Sequence, residues 1–214
     1  LKDLNQKVDK SRWSMTPQTI NAYYNPTANE IVFPAAILQA PFYDYEASKA
    51  KNYGGIGAVI GHEITHAFDD EGSKFDEMGN LKDWWTREDR KNYEKRTEAL
   101  AKQYSRYKSG DSKLNGKLTL GENIADLGGV SVALEIVKNE NSDNLEEFFE
   151  AYAVIWRNLV TKERESYLVK IDPHSPGRYR VNGILTNIDD FYKVYNVSSS
   201  DGMYTKPEDR IKIW

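Results

Sequence analysis

The stretch GGIGAVIGHEITHAFDDEG, Gly54 to Gly72, places two of the chain's three histidines, His62 and His66, four residues apart with Glu63 between them. Ile56, Ile60, Ile64 and Ala67 recur at helical spacing, which predicts a helix over 54–69 with those four residues facing a core. On a helix, positions i and i+4 share a face. Both imidazoles can therefore reach one metal ion and supply half of a tetrahedral site. The pair falls at the margin of the apolar stripe, where it can line a cleft instead of vanishing into the core. Glu63 is offset by one step, beside the open metal position, where a carboxylate can take a proton from an activated water and pass it to a leaving amine. The bland alternative is a chance pair of surface histidines, and the helical context argues against it.

The glycines offer a rival reading. Gly55, Gly57 and Gly61 come close to G-x-G-x-x-G, with one residue too many before the last glycine. The preceding KAKNY is neither apolar nor β-branched, so the strand that a dinucleotide site needs is missing. Close helix packing is the better use for these glycines.

With 214 residues the chain can bury one substantial core, and one domain is the default. A net charge of -4 without a long basic run leaves no electrostatic footprint for nucleic acid or an anionic membrane. The absence of cysteine excludes disulfides and thiolate metal sites, so a metal must be held by imidazole and carboxylate. It also mildly favours a reducing compartment. No apolar run approaches the roughly 18 residues of a membrane helix, and the opening LKDLNQKVDK does not read as a signal peptide.

Around the motif, the first twenty residues are polar and helical in flavour, and residues 21–24 and 30–33 read as a hairpin about an Asn-Pro turn. Residues 86–108 form an amphipathic scaffold helix with Tyr93, Leu100 and Tyr104 on its apolar face. LTLGENIADLGGVSVALEIV and LEEFFEAYAVIWRNLV are two further helices, and the tail after them mixes turn signals with aromatics. The expected fold class is α+β, predominantly α-helical with a small β-sheet.

The third metal ligand is best sought in GENIADLGG. Glu122 and Asp126 are again i and i+4, so one carboxylate can ligate while the other holds a ligating histidine by its second ring nitrogen. Asp69 is a second candidate for such orienting. Thr119 to Glu122 also fits a capping box, in which Glu122 would only bond backbone amides, and spacing leaves the two readings even. His174, in a Pro/Gly-rich loop with Arg178 and Arg180, suits oxyanion stabilisation and substrate binding; a solvated loop histidine is the alternative.

NAYY at Asn21 to Tyr24, IVFPAAILQAPFY, GHEITHAFDDEG, DWW, GENIADLGG, HSPGRYR and the terminal Trp214 occur in an order that resembles the neprilysin-type (M13) zinc metallopeptidases, over essentially the whole chain. The resemblance implies a zincin catalytic domain of the gluzincin, thermolysin-like kind. Zn2+, one per chain, would be bound by His62, His66 and Glu122, with Glu63 as general base and Asp126 assisting. Asp69 would orient a zinc ligand, and His174 would stabilise the tetrahedral intermediate. Asn21 and Ala22 would bond the peptide backbone and Arg180 a substrate carbonyl, and Ile37, Phe42, Val59, Ile155 and Trp156 would line a hydrophobic pocket.

The implied activity is endopeptidase cleavage of oligopeptides on the amino side of hydrophobic residues. Family members are much longer, so residues 1–214 read as the C-terminal part of a catalytic domain whose N-terminal region is a partner within the full-length protein. A zinc-bearing peptide-binding fragment without turnover is the alternative. Secreted and membrane-bound animal members carry a cysteine near the C-terminal tryptophan where this chain has Ile211, which points to a bacterial, cytoplasmic enzyme, with a cell-surface or secreted location as the alternative.

Overall fold

The structure is a computed structural model and describes residues 4–140 and 144–214. Residues 1–3 of the polar N-terminal segment lie outside the described residues, and over 4–20 no helix forms. A polar stretch without an apolar stripe has too little to bury to offset helix nucleation. The hairpin forms as expected: β1 (Tyr23–Asn25) pairs antiparallel with β2 (Glu30–Val32), Tyr23 opposite Val32 and Asn25 opposite Glu30. Asn25 Oδ1 accepts from the Thr27 hydroxyl at 2.8 Å, and Asn29 takes a left-handed φ of 46°, both ordinary uses of asparagine in a turn.

The histidine motif is helical, in three geometries. α1 (Lys49–Asn52), capped by the Ser48 side chain, runs through a π-helical turn over Tyr53–Gly57 into α2 (Ala58–Thr65), and a 3-10 turn over His66–Phe68 ends the run. Then come α3 (Arg87–Tyr104), started by a Thr86 cap, and the short hairpin of β3 (Lys108–Ser109) and β4 (Ser112–Lys113). α4 (Leu120–Asn139) and α5 (Leu145–Ile155) complete the expected helices. The tail holds more regular structure than its turn-rich sequence suggests: α6 (Lys162–Ile171), α7 (Gly177–Leu185) and α8 (Asp189–Val194). α7 has the sequence GRYRVNGIL, a poor helix former. Tertiary bonds hold it, the buried hydroxyls of Tyr152 and Tyr104 donating to the carbonyls of Arg180 (2.8 Å) and Tyr179 (3.0 Å).

α2 and α4 pack antiparallel at the centre of the fold through glycines. A Cβ on Gly61 would lie 2.8 Å from Gly129 Cα, and one on Gly129 would lie 2.6 Å from both Ala58 O and His62 N. This backbone-to-backbone approach is what the glycine run permits. The core around the pair is built from Leu100, Tyr104, Ile124, Val130, Phe148, Phe149, Tyr152 and Ile184.

One expectation about α2 fails. Ile56 is buried, whereas Ile60 and Ile64 are 39% and 48% exposed and Ala67 is half-buried. The flank of α2 that is covered carries Val59, His62 and Glu63, because the Gly61 face docks on α4 and brings the histidine flank under α7. Spacing marks a stripe but does not say which flank meets a partner.

Candidate metal centre and cleft

His62 and His66 lie one turn apart, with their Nε2 atoms 2.9 Å from each other. Each ring is fixed from behind: Asp126 Oδ1 lies 2.8 Å from His62 Nδ1, and Asp69 Oδ2 lies 2.6 Å from His66 Nδ1. A carboxylate on Nδ1 keeps that nitrogen protonated and leaves Nε2 as the ligating atom. Asp69 is held in turn by the backbone N–H groups of Glu71 (2.8 Å) and Gly72 (2.6 Å).

Glu122 comes from the first turn of α4. The capping-box reading falls, because Thr119 makes no cap bond: its hydroxyl donates to Asn115 O and accepts from Asn123 Nδ2. Freed from the backbone, Glu122 places Oε2 3.3 Å from His62 Nε2 and Oε1 3.7 Å from His66 Nε2. Its Oε2 is buried without a hydrogen bond of acceptable geometry. Potential ligand atoms of His62, His66 and Glu122 all lie within 4.8 Å of one another. An orphaned carboxylate oxygen facing two ring nitrogens fits a cation, and two imidazoles with one carboxylate are the donor set of an open zinc site.

The electrostatics agree. Glu63, Asp69, Glu122 and Asp126 surround the imidazoles, and Arg180 is the guanidinium that faces them. Burial opposes charge on Glu122, yet the close approach and charge of His62, with His174 and His66 behind it, hold its carboxyl at about 2. Asp126 is likewise held well below the usual range, Arg180 and His62 overcoming burial. Burial would depress His62, but Asp126 and Glu122 lift it to about 9. A pocket that keeps a proton on a buried imidazole is one that favours positive charge.

Arg180 is 8% exposed and forks onto Asp126, Nε to Oδ2 at 2.8 Å and Nη2 to Oδ1 at 2.7 Å, with its guanidinium 3.6 Å above the Trp156 ring. The sequence reading put Arg178 and Arg180 in a loop with His174; both belong to α7, and only His174 stays in the loop before it. His174 presents Nε2 3.3 Å from Glu122 Oε2. Its orientation comes from Asp172, whose Oδ1 lies 2.8 Å from His174 Nδ1 and accepts from the His174 backbone N–H at 2.9 Å. Asp172 escaped the sequence reading, although an aspartate two residues before a loop residue signals this local turn. Ser175 and Asn123, also missed, tie that loop to α4 through a buried 2.8 Å bond.

A cleft of about 480 Å³ opens over the cluster and is lined by Asn21, Ala22, Ile37, Phe42, Val59 and Trp156 together with the ionisable groups. Met15, Ile20, Tyr23 and Tyr24 join its wall. Ile155 does not: it is 8% exposed and packs within the core. Glu63 lines the cleft at 5% exposure, and no described side chain pairs with its carboxylate. Burial first, and then the charge of Glu122, raise its pKa against the pull of the histidines and Arg180.

Beside the cluster, Asp70 Oδ1 is buried with no hydrogen-bond partner, and burial followed by the charge of Asp69 push this carboxyl up to about 6. A folded-state pKa above the ordinary aspartate value means that the fold favours the protonated form. Stability therefore declines as pH rises from about 4 to 6, and the penalty is fully present above that window. Asp70→Asn is expected to raise Tm at pH 8 and to change it little at pH 4. Equal shifts at both pH values would remove the titration of Asp70 as the cause.

Helix-borne His-Glu-x-x-His with a carboxylate from a second helix, at the base of an open cleft, defines the class: a zinc metallopeptidase type of site. Residues 21–211 match the model of peptidase family M13, and the chain belongs to that family. It is 46% identical over 209 residues to the neutral endopeptidase of Lactococcus lactis subsp. lactis, covering 98% of this chain and 33% of that one. It is 42% identical over 224 residues to human endothelin-converting enzyme 1, covering 99% and 29%. Its fold superposes on the zinc metalloprotease ZMP1 of Mycobacterium tuberculosis, solved with an inhibitor, with a TM-score of 0.95 and 46% identity, covering 100% of this chain and 35% of that one. The chain thus spans about a third of the length of these relatives.

Proposed function

We propose that this chain carries the catalytic centre of a zinc-dependent endopeptidase that hydrolyses oligopeptides, as the C-terminal part of a longer catalytic unit. The observation that carries the reading is the convergence of His62 Nε2, His66 Nε2 and the orphaned Glu122 Oε2, with both rings fixed from behind by Asp126 and Asp69. These three residues would hold zinc. When bound, such an ion polarises a carbonyl and lowers the pKa of water.

The chain's own groups supply the rest. Glu63, buried, without a partner and with a raised pKa, accepts a proton from water in the cleft and delivers it to the departing amide nitrogen. His174, steadied by Asp172, faces the developing oxyanion, and Arg180, locked by Asp126, holds a substrate carbonyl at the cleft wall. Asn21 and Ala22, which line the cleft, would bond an extended backbone, and Ile37, Phe42, Val59 and Trp156 supply an apolar wall suited to a hydrophobic residue on the carboxyl side of the cut. The lack of cysteine fits work in the cytoplasm of a bacterium.

Zinc content per chain, measured by elemental analysis, tests the metal. The parent is expected to hold near one zinc and His66→Ala none, since removing one of three protein ligands leaves a site too weak to survive dialysis. A folded parent that takes up no zinc would end this reading.

A further inference from the structure

On the face of α7 away from the metal cleft lies a second, larger groove of about 1440 Å³. Eight lysines and arginines and only two acids line it, in a chain whose net charge is -4. One stripe of α3 forms a wall: Asn92, Lys95, Ala99 and Lys102 follow one another at helical spacing for about 15 Å, and Arg106 lies in the turn just beyond the helix. α7 forms the floor with Arg178 and Asn182, and the irregular segment through Lys206 forms the facing wall.

Some of this charge is already satisfied. Arg210 and Lys212 both pair with Asp189 at 2.8 Å, and Lys102 pairs with Glu98 at 2.8 Å. Lys95, Arg106 and Lys206 have no ion-pair or hydrogen-bond partner for their side chains among the described residues, and Arg178 has only the face of Tyr179. These four cations come from separate places in the lining, Lys95 within α3, Arg106 beyond its end, Arg178 on α7 and Lys206 on the segment before the last 3-10 turn, and a spread of charge suits a linear anion better than a compact one.

The floor distinguishes between linear anions. The half-buried side-chain amide of Asn182 has no partner among the described residues, and it offers a donor and an acceptor together, the complement of a peptide group. A phosphate backbone would use only the donor. The ring faces that could stack bases are committed elsewhere: Tyr107 and Tyr179 stack on each other at 4.6 Å and 13°. At about 3.3 Å per residue the α3 wall alone spans about five residues of extended chain.

We propose that this groove binds an extended acidic peptide segment through Lys95, Arg106, Arg178 and Lys206, with Asn182 bonding its backbone, at a site distinct from the metal cleft. α7 is the element common to both sites, carrying Arg180 on one side and Asn182 on the other.

Fluorescence anisotropy of labelled hexaglutamate with the 214-residue chain tests the proposal without any turnover. Saturable binding is expected that weakens with added salt and that falls at least about tenfold in Lys95→Glu/Arg106→Glu/Lys206→Glu. The single variant Lys206→Glu is expected to weaken binding in the same direction. His66→Ala is expected to bind as the parent does, which separates this groove from the metal cleft and from any failure of the peptidase reading. Asn182→Ala is expected to weaken hexaglutamate while leaving tripolyphosphate unaffected. The proposal is overturned by absent binding, by binding that the charge reversals leave unchanged, or by binding lost with His66→Ala. It is equally overturned if tripolyphosphate competes as well as hexaglutamate and Asn182→Ala is silent, since the groove would then be a patch for anions in general.

Discussion

Glu63→Gln is expected to lower peptide hydrolysis by roughly a hundredfold to ten-thousandfold, the usual contribution of a positioned general base, while zinc content and Tm stay at parent values. The substitution is nearly isosteric. It removes the proton-accepting oxygen without touching His62, His66, Glu122 or the carboxylates behind them, because no described side chain bonds Glu63. It also removes a buried, desolvated charge, so stability has no reason to fall. The decisive pattern is therefore a split: lost kcat with retained metal and retained fold. Turnover near parent levels would take Glu63 out of the base role, and loss of zinc would mean that it supports the metal instead.

Gly129→Ala is expected to cost about 3 kcal/mol, roughly 6–12 °C in Tm for a chain of this size, and to release zinc. The new methyl would sit 2.6 Å from Ala58 O and from His62 N, and both are backbone atoms of α2, the helix that presents His62 and leads into His66. Neither can rotate away, so α2 must move off α4, and with it His62 moves away from Glu122 and Asp126. Gly202→Ala, where a Cβ meets nothing within 4 Å, is the matched control and should be silent. Parent-like Tm and zinc content in Gly129→Ala would mean that the two helices are not held at this distance in solution.

The two helices that build the candidate metal centre were legible for a local reason. The i, i+4 relation of His62 to His66 and of Glu122 to Asp126 is set by backbone hydrogen bonds within each helix, so it survives whatever the helix packs against. Order and spacing of the motifs carried the family resemblance over the same residues, and the match over 21–211 agrees with it. The misreadings have a common origin in packing. Ile60 and Ile64 read as core, and α7 read as loop, because local pattern alone cannot show that α2 turns its histidine flank inward or that Tyr104 and Tyr152 pin a weak helix.

By itself, the sequence determined the local chemistry: a histidine pair on one helix face with a carboxylate beside it, a second acidic pair at the same spacing, and no thiol to compete for the metal. Only the tertiary structure removed the reading of Glu122 as part of a cap, by giving the Thr119 hydroxyl other partners and turning the carboxylate toward His62. Tertiary packing also brought Arg180 onto Asp126 and His174 to Glu122, across 54 and 52 residues of chain. The physical reason is reach: backbone hydrogen bonding fixes neighbours within about one turn, and everything farther apart is set by which helix faces can approach, here through Gly61 and Gly129.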